Sequence, residues 1–184
     1  FLFESFHNSC KKNVEMNIKG QPLKELDKIA IECYKSFIKL HENDYSVIIQ
    51  LFYSMQITYN IKMIDNTTMS YCCQSNFILN LPINRNTETL YDCFDYYLKD
   101  EELKDENSII DEKDNKKYDA IQKTVFWNLP TILIVSFKRF SYDGTKKENK
   151  LIKFPINNLN LSKYIIGYKK NDHIYDLYAV CNHS

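Results

Sequence analysis

The sequence predicts an α+β protein, and three observations carry that reading. Over residues 22–41, Leu23, Leu26, Ala30, Tyr34, Phe37 and Ile38 recur every three to four positions, which places them on one face of a helix. From Gln56 the period falls to two: Ile57, Tyr59, Ile61 and Met63 alternate with polar residues, as in a half-buried strand. Residues 131–137 read as apolar on both faces, the pattern of a central strand.

Residues 1–10 read as the tail of a helix. In the second helix Pro22 suits the first turn, where its missing N–H costs nothing. Residues 45–53 form a short apolar segment of one or two helical turns. Tyr71, Cys73, Phe77, Leu79 and Leu81 continue the strand period imperfectly after Asp65-Asn66, which predicts an antiparallel hairpin with its turn at that pair. Thr89 followed three residues later by Asp92 signals a helix start, with Leu90, Phe94 and Tyr97 on its inner face. Residues 99–117 are charged and nearly free of apolar side chains, which predicts a solvated loop or a fingertip. Ile121, Lys123 and Val125 alternate toward Trp127 as another strand. A turn is expected at Tyr142-Asp143-Gly144, and further strands over 150–156 and 175–181.

Length and composition narrow the function. The 184 residues are 44% hydrophobic with 24 basic and 24 acidic side chains. That suits one domain with a real core and excludes the basic excess of a nucleic-acid surface. No apolar run approaches the roughly 20 residues of a membrane span, and Phe1-Leu2-Phe3 carries no secretory signal. The first residue is not Met, so the chain is expected to be a part of a longer protein. The six cysteines, Cys10, Cys33, Cys72, Cys73, Cys93 and Cys181, show no framework spacing and read as reduced thiols of a cytoplasmic or nuclear protein. Cys10, Cys33 and Cys93 are expected to pack on helical faces. Only 3 glycines occur where an average content would give about 13. Since glycine lets backbone approach a substrate closely, active-site loops are expected to lie elsewhere.

A series of short motifs points further. Leu51-Phe52, Leu79-Asn-Leu-Pro-Ile83, Thr89-Leu-Tyr-Asp-Cys-Phe94, Trp127-Asn-Leu-Pro130, Phe137-Lys-Arg-Phe140, Phe154-Pro155, Asn158-Leu-Asn-Leu-Ser162 and Tyr175-Asp-Leu-Tyr-Ala-Val-Cys-Asn-His183 follow one another. Each is weak alone; in this order and spacing the chain resembles the ubiquitin-specific proteases, cysteine enzymes of papain-like fold. The resemblance is good over 45–184 and loose over 11–43. It implies a partial catalytic domain: a helical lead-in over 1–44, the ubiquitin-gripping fingers over 45–125, and part of the palm over 126–184. The partners it implies are ubiquitin and ubiquitinated proteins, with no cofactor, no nucleic acid and no membrane.

In that family a thiolate attacks the isopeptide carbonyl after the ubiquitin C-terminal glycine, assisted by a histidine. The Gly-Asn-Thr-Cys box of the nucleophile and the Gly-Gly-His-Tyr box of the histidine are absent from this sequence. No catalytic residue is therefore assigned here, and Cys181 with His183 is not read as a dyad. A rival reading is a catalytically inactive ubiquitin-binding scaffold of the same fold. Binding residues carry over better. The resemblance places Arg139 and Phe140 near the channel for the ubiquitin tail, Tyr142 and Lys146 on a loop over that tail, and His183 at the start of a second such loop. Many relatives hold zinc at the fingertips with two Cys-x-x-Cys pairs. Here those four positions align with Lys62, Asp65, Asp111 and Asp114, so no metal is expected; a surface ion pair among them would contribute little.

Overall fold

The computed structural model describes residues 2–140 and 145–182. Four helices, α1 (Leu2–Cys10), α2 (Glu25–His41), α3 (Val47–Phe52) and α4 (Leu90–Tyr97), accompany ten short strands. The main sheet has the order β2-β1-β7-β4, from β1 (Ser54–Lys62), β2 (Thr68–Asn76), β4 (Glu101–Leu103) and β7 (Ala120–Asn128), all antiparallel. β3 (Leu79–Pro82) and β8 (Val135–Lys138) pair in parallel. β5 (Ile109–Asp111) with β6 (Lys116–Tyr118), and β9 (Leu159–Asn160) with β10 (Ile174–Tyr175), form two small antiparallel pairs. No helix among the described residues is long and apolar enough to cross a membrane.

The main sheet is sandwiched because its strands are apolar on both faces near their base. Met55, Ile57 and Trp127 pack on one side against Ala30 and Cys33 of α2. Phe126 faces the other way, into a core with Leu90, Cys93 and Phe94 of α4 and Leu79 and Leu81 of β3. Adjacent residues serving opposite cores is the period-two geometry of a strand. Gln56 is a polar residue on the α4 side, and its Oε1 accepts the Tyr97 hydroxyl at 2.6 Å.

The first hairpin forms at the expected place. Asn66 adopts φ 58°, a conformation Asn tolerates, and Asp65 Oδ1 accepts the Thr67 N–H at 2.9 Å. The start of α4 is also as expected. Thr89 Oγ1 accepts the Asp92 N–H at 3.2 Å, while Asp92 Oδ2 accepts the Glu88 and Thr89 N–H groups at 3.0 and 2.8 Å. Removing the hydroxyl in Thr89→Ala is expected to cost about 1 kcal/mol. Urea unfolding of the variant beside wild type measures it; an unchanged midpoint would mean Asp92 holds the helix end alone.

Elsewhere the structure corrects the reading. Helix α2 starts at Glu25, not Pro22, and Leu23 is 89% exposed. Asp27 Oδ2 accepts the Leu23 and Lys24 N–H groups, both at 2.9 Å, which stops the helix three residues short. Tyr34 is likewise half-exposed, and the inner face is Leu26, Ile29, Ala30, Cys33 and Phe37. Cys10 is exposed instead of packed. The strand expected to run through Leu81 breaks at Phe77-Ile78, and its second half leaves the hairpin to pair with β8. β8 has that single partner among the described residues and is only half-buried. Residues 99–117 form β4, β5 and part of β6, with Asn115 at φ 56° in the turn. Residues 150–156 make one bridge, Lys153 to Thr89, instead of a strand. Residues 176–182 are exposed and form no strand, held only by bonds such as that from Leu177 N–H to Ile156 O at 2.7 Å. The turn expected at 142–144 lies outside the described residues.

Candidate functional site

The Phe137-Lys-Arg-Phe140 motif ends β8 and builds the stem of a loop. Arg139 N–H donates to Phe137 O at 2.9 Å, which turns the chain out of the strand. The Arg139 guanidinium folds back, its Nη1 donating to the carbonyls of Glu148 and Lys150 at 3.1 and 2.8 Å. The Glu148 N–H donates in return to Arg139 O, and Phe140 bridges Lys147 as an antiparallel pair. Lys150 is fixed twice: its N–H donates to Glu148 Oε1 at 2.9 Å and its ammonium to Arg85 O at 2.7 Å. A guanidinium suits this task, since one of its nitrogens carries two N–H groups and can hold two carbonyls at once.

Phe140 is 55% exposed, with the Lys147 ammonium 5.9 Å from its ring centroid. Phe140 is therefore a surface aromatic beside one cation and not a core residue. Lys146 is exposed on the same loop. The structure thus places Arg139 and Phe140 side by side at the stem, with Lys146 next to the Lys147 that bridges Phe140. Tyr142 and His183 lie outside the described residues. Glu148 and Lys150, which hold the stem, carried no signal in the sequence, because Arg139 bonds their backbone carbonyls, which any residue has.

The fingertip positions also converge. Lys62 Nζ lies 2.7 Å from Asp111 and 3.9 Å from Asp114, and 3.9 Å over the Tyr118 ring. The Tyr118 hydroxyl donates to Asp114 at 2.6 Å. The Asp111 side chain is 3% exposed and that of Lys62 12%, so this pair is more enclosed than the surface pair the sequence suggests. The Lys62 hydrogen bond holds the Asp111 carboxyl below its usual range and raises Lys62 in turn. Asp65 stays apart, bonded to Thr67. The ammonium sits where the carboxylates meet, and no group of three potential metal ligands occurs among the described residues.

No cysteine sulfur bonds a histidine ring among the described residues. His7 pairs with Ser46 at 2.8 Å, His41 with Ser75 at 3.3 Å, and His173 with Tyr175 at 3.5 Å. Burial lowers the pKa of both His41 and His173. Cys181 is exposed and outside any strand. A cavity of about 140 Å³ between α2 and the main sheet is lined by Tyr34, Phe37, Tyr53, Met55 and Trp127, with Ser54, Ser75 and Asn128 as its polar members and no cysteine.

The fold of helices packed about this strand arrangement, with a clamped loop at the end of β8, is that of the papain-like ubiquitin-specific protease domain. The sequence model of the ubiquitin carboxyl-terminal hydrolases matches residues 1–184, and the chain belongs to that family. A probable ubiquitin carboxyl-terminal hydrolase of Acanthamoeba polyphaga mimivirus is 28% identical over 96% of this chain and 40% of its own length. Human ubiquitin carboxyl-terminal hydrolase 19 is 38% identical over 52% of this chain and 8% of its own length. Among solved structures, the SAGA DUB module of Ubp8, Sgf11, Sus1 and Sgf73 bound to monoubiquitin superposes with a TM-score of 0.59 at 23% identity. That match covers 76% of this chain and 32% of the other. The chain therefore spans less than half the length of these relatives.

Proposed function

We propose that this chain is the ubiquitin-gripping part of a cysteine-type deubiquitinase that hydrolyses the isopeptide bond after the C-terminal glycine of ubiquitin. The observation that carries the reading is the Arg139-clamped loop stem presenting Phe140 and Lys146, in a chain of this family. In this reading residues 45–125 are the fingers, 126–184 belong to the palm, and 1–44 lead into them. The thiolate that attacks the carbonyl, the histidine that protonates the leaving amine and the oxyanion donors lie outside these residues. The lack of any cysteine–histidine contact among the described residues supports that division. The work of this chain is then positional. Phe140 and the loop around it contact the ubiquitin tail, the ring by packing and the loop by its backbone groups. The setting is cytoplasmic or nuclear, in keeping with six free thiols.

Ubiquitin carrying a C-terminal electrophile tests this on the intact protein. One covalent ubiquitin per protein is expected, and none on this chain alone. Phe140→Ala in the intact protein is expected to raise KM for a ubiquitin-amide substrate about tenfold, the effect of losing one aromatic anchor. Binding of ubiquitin without labelling would establish the inactive scaffold instead. Labelling with an unchanged KM in Phe140→Ala would remove Phe140 from the contact.

A further inference from the structure

Two sulfurs from distant parts of the chain meet beneath α2. Cys33 projects from the inner face of the helix and Cys73 from β2, and their Sγ atoms lie 3.6 Å apart. Cys33 is fully buried and Cys73 partly so. Of the other cysteines, Cys10, Cys72 and Cys181 are exposed and Cys93 sits in the opposite core; no other sulfur–sulfur contact occurs among the described residues. The pair is therefore poised for chemistry that a single packing thiol cannot perform.

The two sulfurs are not equivalent. The hydrogen bond to Cys73, with burial adding to it, holds the Cys33 thiol far above its ordinary range. The same hydrogen bond draws Cys73 down, against its own burial. The more acidic thiol thus belongs to Cys73, the less buried residue of the two, and both features favour reaction at that cysteine first.

We propose that Cys33 and Cys73 form a peroxide-sensitive dithiol that closes reversibly to a disulfide, with Cys73 attacking and Cys33 resolving. The Cys73 thiolate attacks one oxygen of hydrogen peroxide and the O–O bond breaks. The departing hydroxide takes a proton and leaves as water, and Cys73 becomes a sulfenic acid. The Cys33 sulfur then attacks the Cys73 sulfur, the S–O bond breaks, and the hydroxide leaves with the Cys33 proton as a second water. Two thiols lose two electrons in all, and one peroxide becomes two waters. The sulfurs must approach from 3.6 Å to about 2.05 Å, a shift within reach of side-chain rotation. An added dithiol reductant reverses the bond by exchange. The closed bond ties α2 to β2 and so fixes the helix on the sheet, independently of whether the Phe140 loop binds ubiquitin.

The test is peroxide titration of the intact protein, alkylation of remaining thiols, digestion without reductant and mass spectrometry. A Cys33–Cys73 cross-linked peptide is expected, lost on treatment with dithiothreitol. Its formation should raise Tm by about 5 °C or more. Cys33→Ala should leave Cys73 stalled as a sulfenic acid that dimedone traps, whereas Cys73→Ala should leave Cys33 unmodified. Cys72→Ser should form the bond as wild type does. A cross-link through Cys72, or oxidation of wild-type Cys73 to the sulfinic acid with Cys33 still a free thiol, would overturn the assignment. So would recovery of both as alkylatable thiols after peroxide has oxidised the exposed cysteines.

Discussion

Phe94→Ala is expected to lower the free energy of unfolding by about 4 kcal/mol, a large share of the 5–15 kcal/mol that holds a typical domain together. Phe94 is completely buried at the centre of the larger core. Its ring stacks on Tyr164 at 5.2 Å and 25°, and meets Phe126 edge-on at 6.3 Å. The walls of the resulting void come from α4, β3, β7 and the segment around 159–165. Several of these are fixed by hydrogen bonds that do not relax together. Tyr164 is held by Asp95 Oδ1 at 2.7 Å, and Ile166 N–H donates to Phe126 O at 3.0 Å. A void whose walls cannot collapse carries the upper range of the cavity penalty. Urea denaturation with a fixed slope measures the loss, and Phe94→Leu should recover part of it. A loss below about 1 kcal/mol in Phe94→Ala would mean that the core closes over the missing ring.

Gly167→Ala is expected to cost about 3 kcal/mol, because nothing at the site can move aside. A Cβ at Gly167 would stand 2.2 Å from the carbonyl oxygen of Trp127. That atom belongs to the backbone of β7, so no side-chain rotation relieves the clash. The segment must lift, and several contacts lift with it. Ile166 loses its hydrogen bond to Phe126, and Tyr168 leaves its edge-on contact with Trp127 at 5.4 Å. The Tyr168 hydroxyl also donates to Asp27, the residue that caps α2, so the disturbance reaches the start of that helix. Gly20 supplies the contrast. A Cβ there would meet nothing within 4 Å, but φ is +103°, so Gly20→Ala should cost only the backbone strain, about 1 kcal/mol. The sequence holds a single tryptophan, and a shift of its emission in native Gly167→Ala, absent in Gly20→Ala, reports the displacement. Equal costs for the two would mean that strain and not contact governs both.

How much of this was legible beforehand differs element by element. The hairpin at Asp65-Asn66 and the cap of α4 were readable because the causes are local: a turn residue that tolerates positive φ, and a hydroxyl three residues from a carboxylate. The start of α2 was misplaced, since Pro22 is compatible with a first turn and the decisive hydrogen bonds from Leu23 and Lys24 to Asp27 compete with it. The 99–117 stretch looked like loop because its stabilisation comes from elsewhere. Lys62 lies far from Asp111 in sequence, and the Tyr118 ring completes the group. Strands β8 and β10 came out shorter than their apolar runs, because a strand needs a partner and pattern alone supplies none.

The candidate site divides in the same way. Arg139 and Phe140 were identified by a motif, and the loop that carries Lys146 with them. What Arg139 does was not visible: its Nη1 holds the carbonyls of Glu148 and Lys150, and carbonyl groups leave no trace in the side-chain code. The contact of Cys33 with Cys73 was equally hidden. One sat in a helical period of 3.6 and the other in a strand period of two, and each was legible as packing alone. By itself, then, the sequence determined the class of fold, the first hairpin turn and the cap of α4, since these rest on periodicity and short-range bonding, and its ordered motifs carried the resemblance to the family. Only the tertiary structure decided which sulfurs meet, which ammonium is enclosed among carboxylates and which glycine touches a neighbouring strand. Such contacts depend on how α2 lies across the sheet and how 165–168 returns to β7, distances that no spacing along the chain encodes.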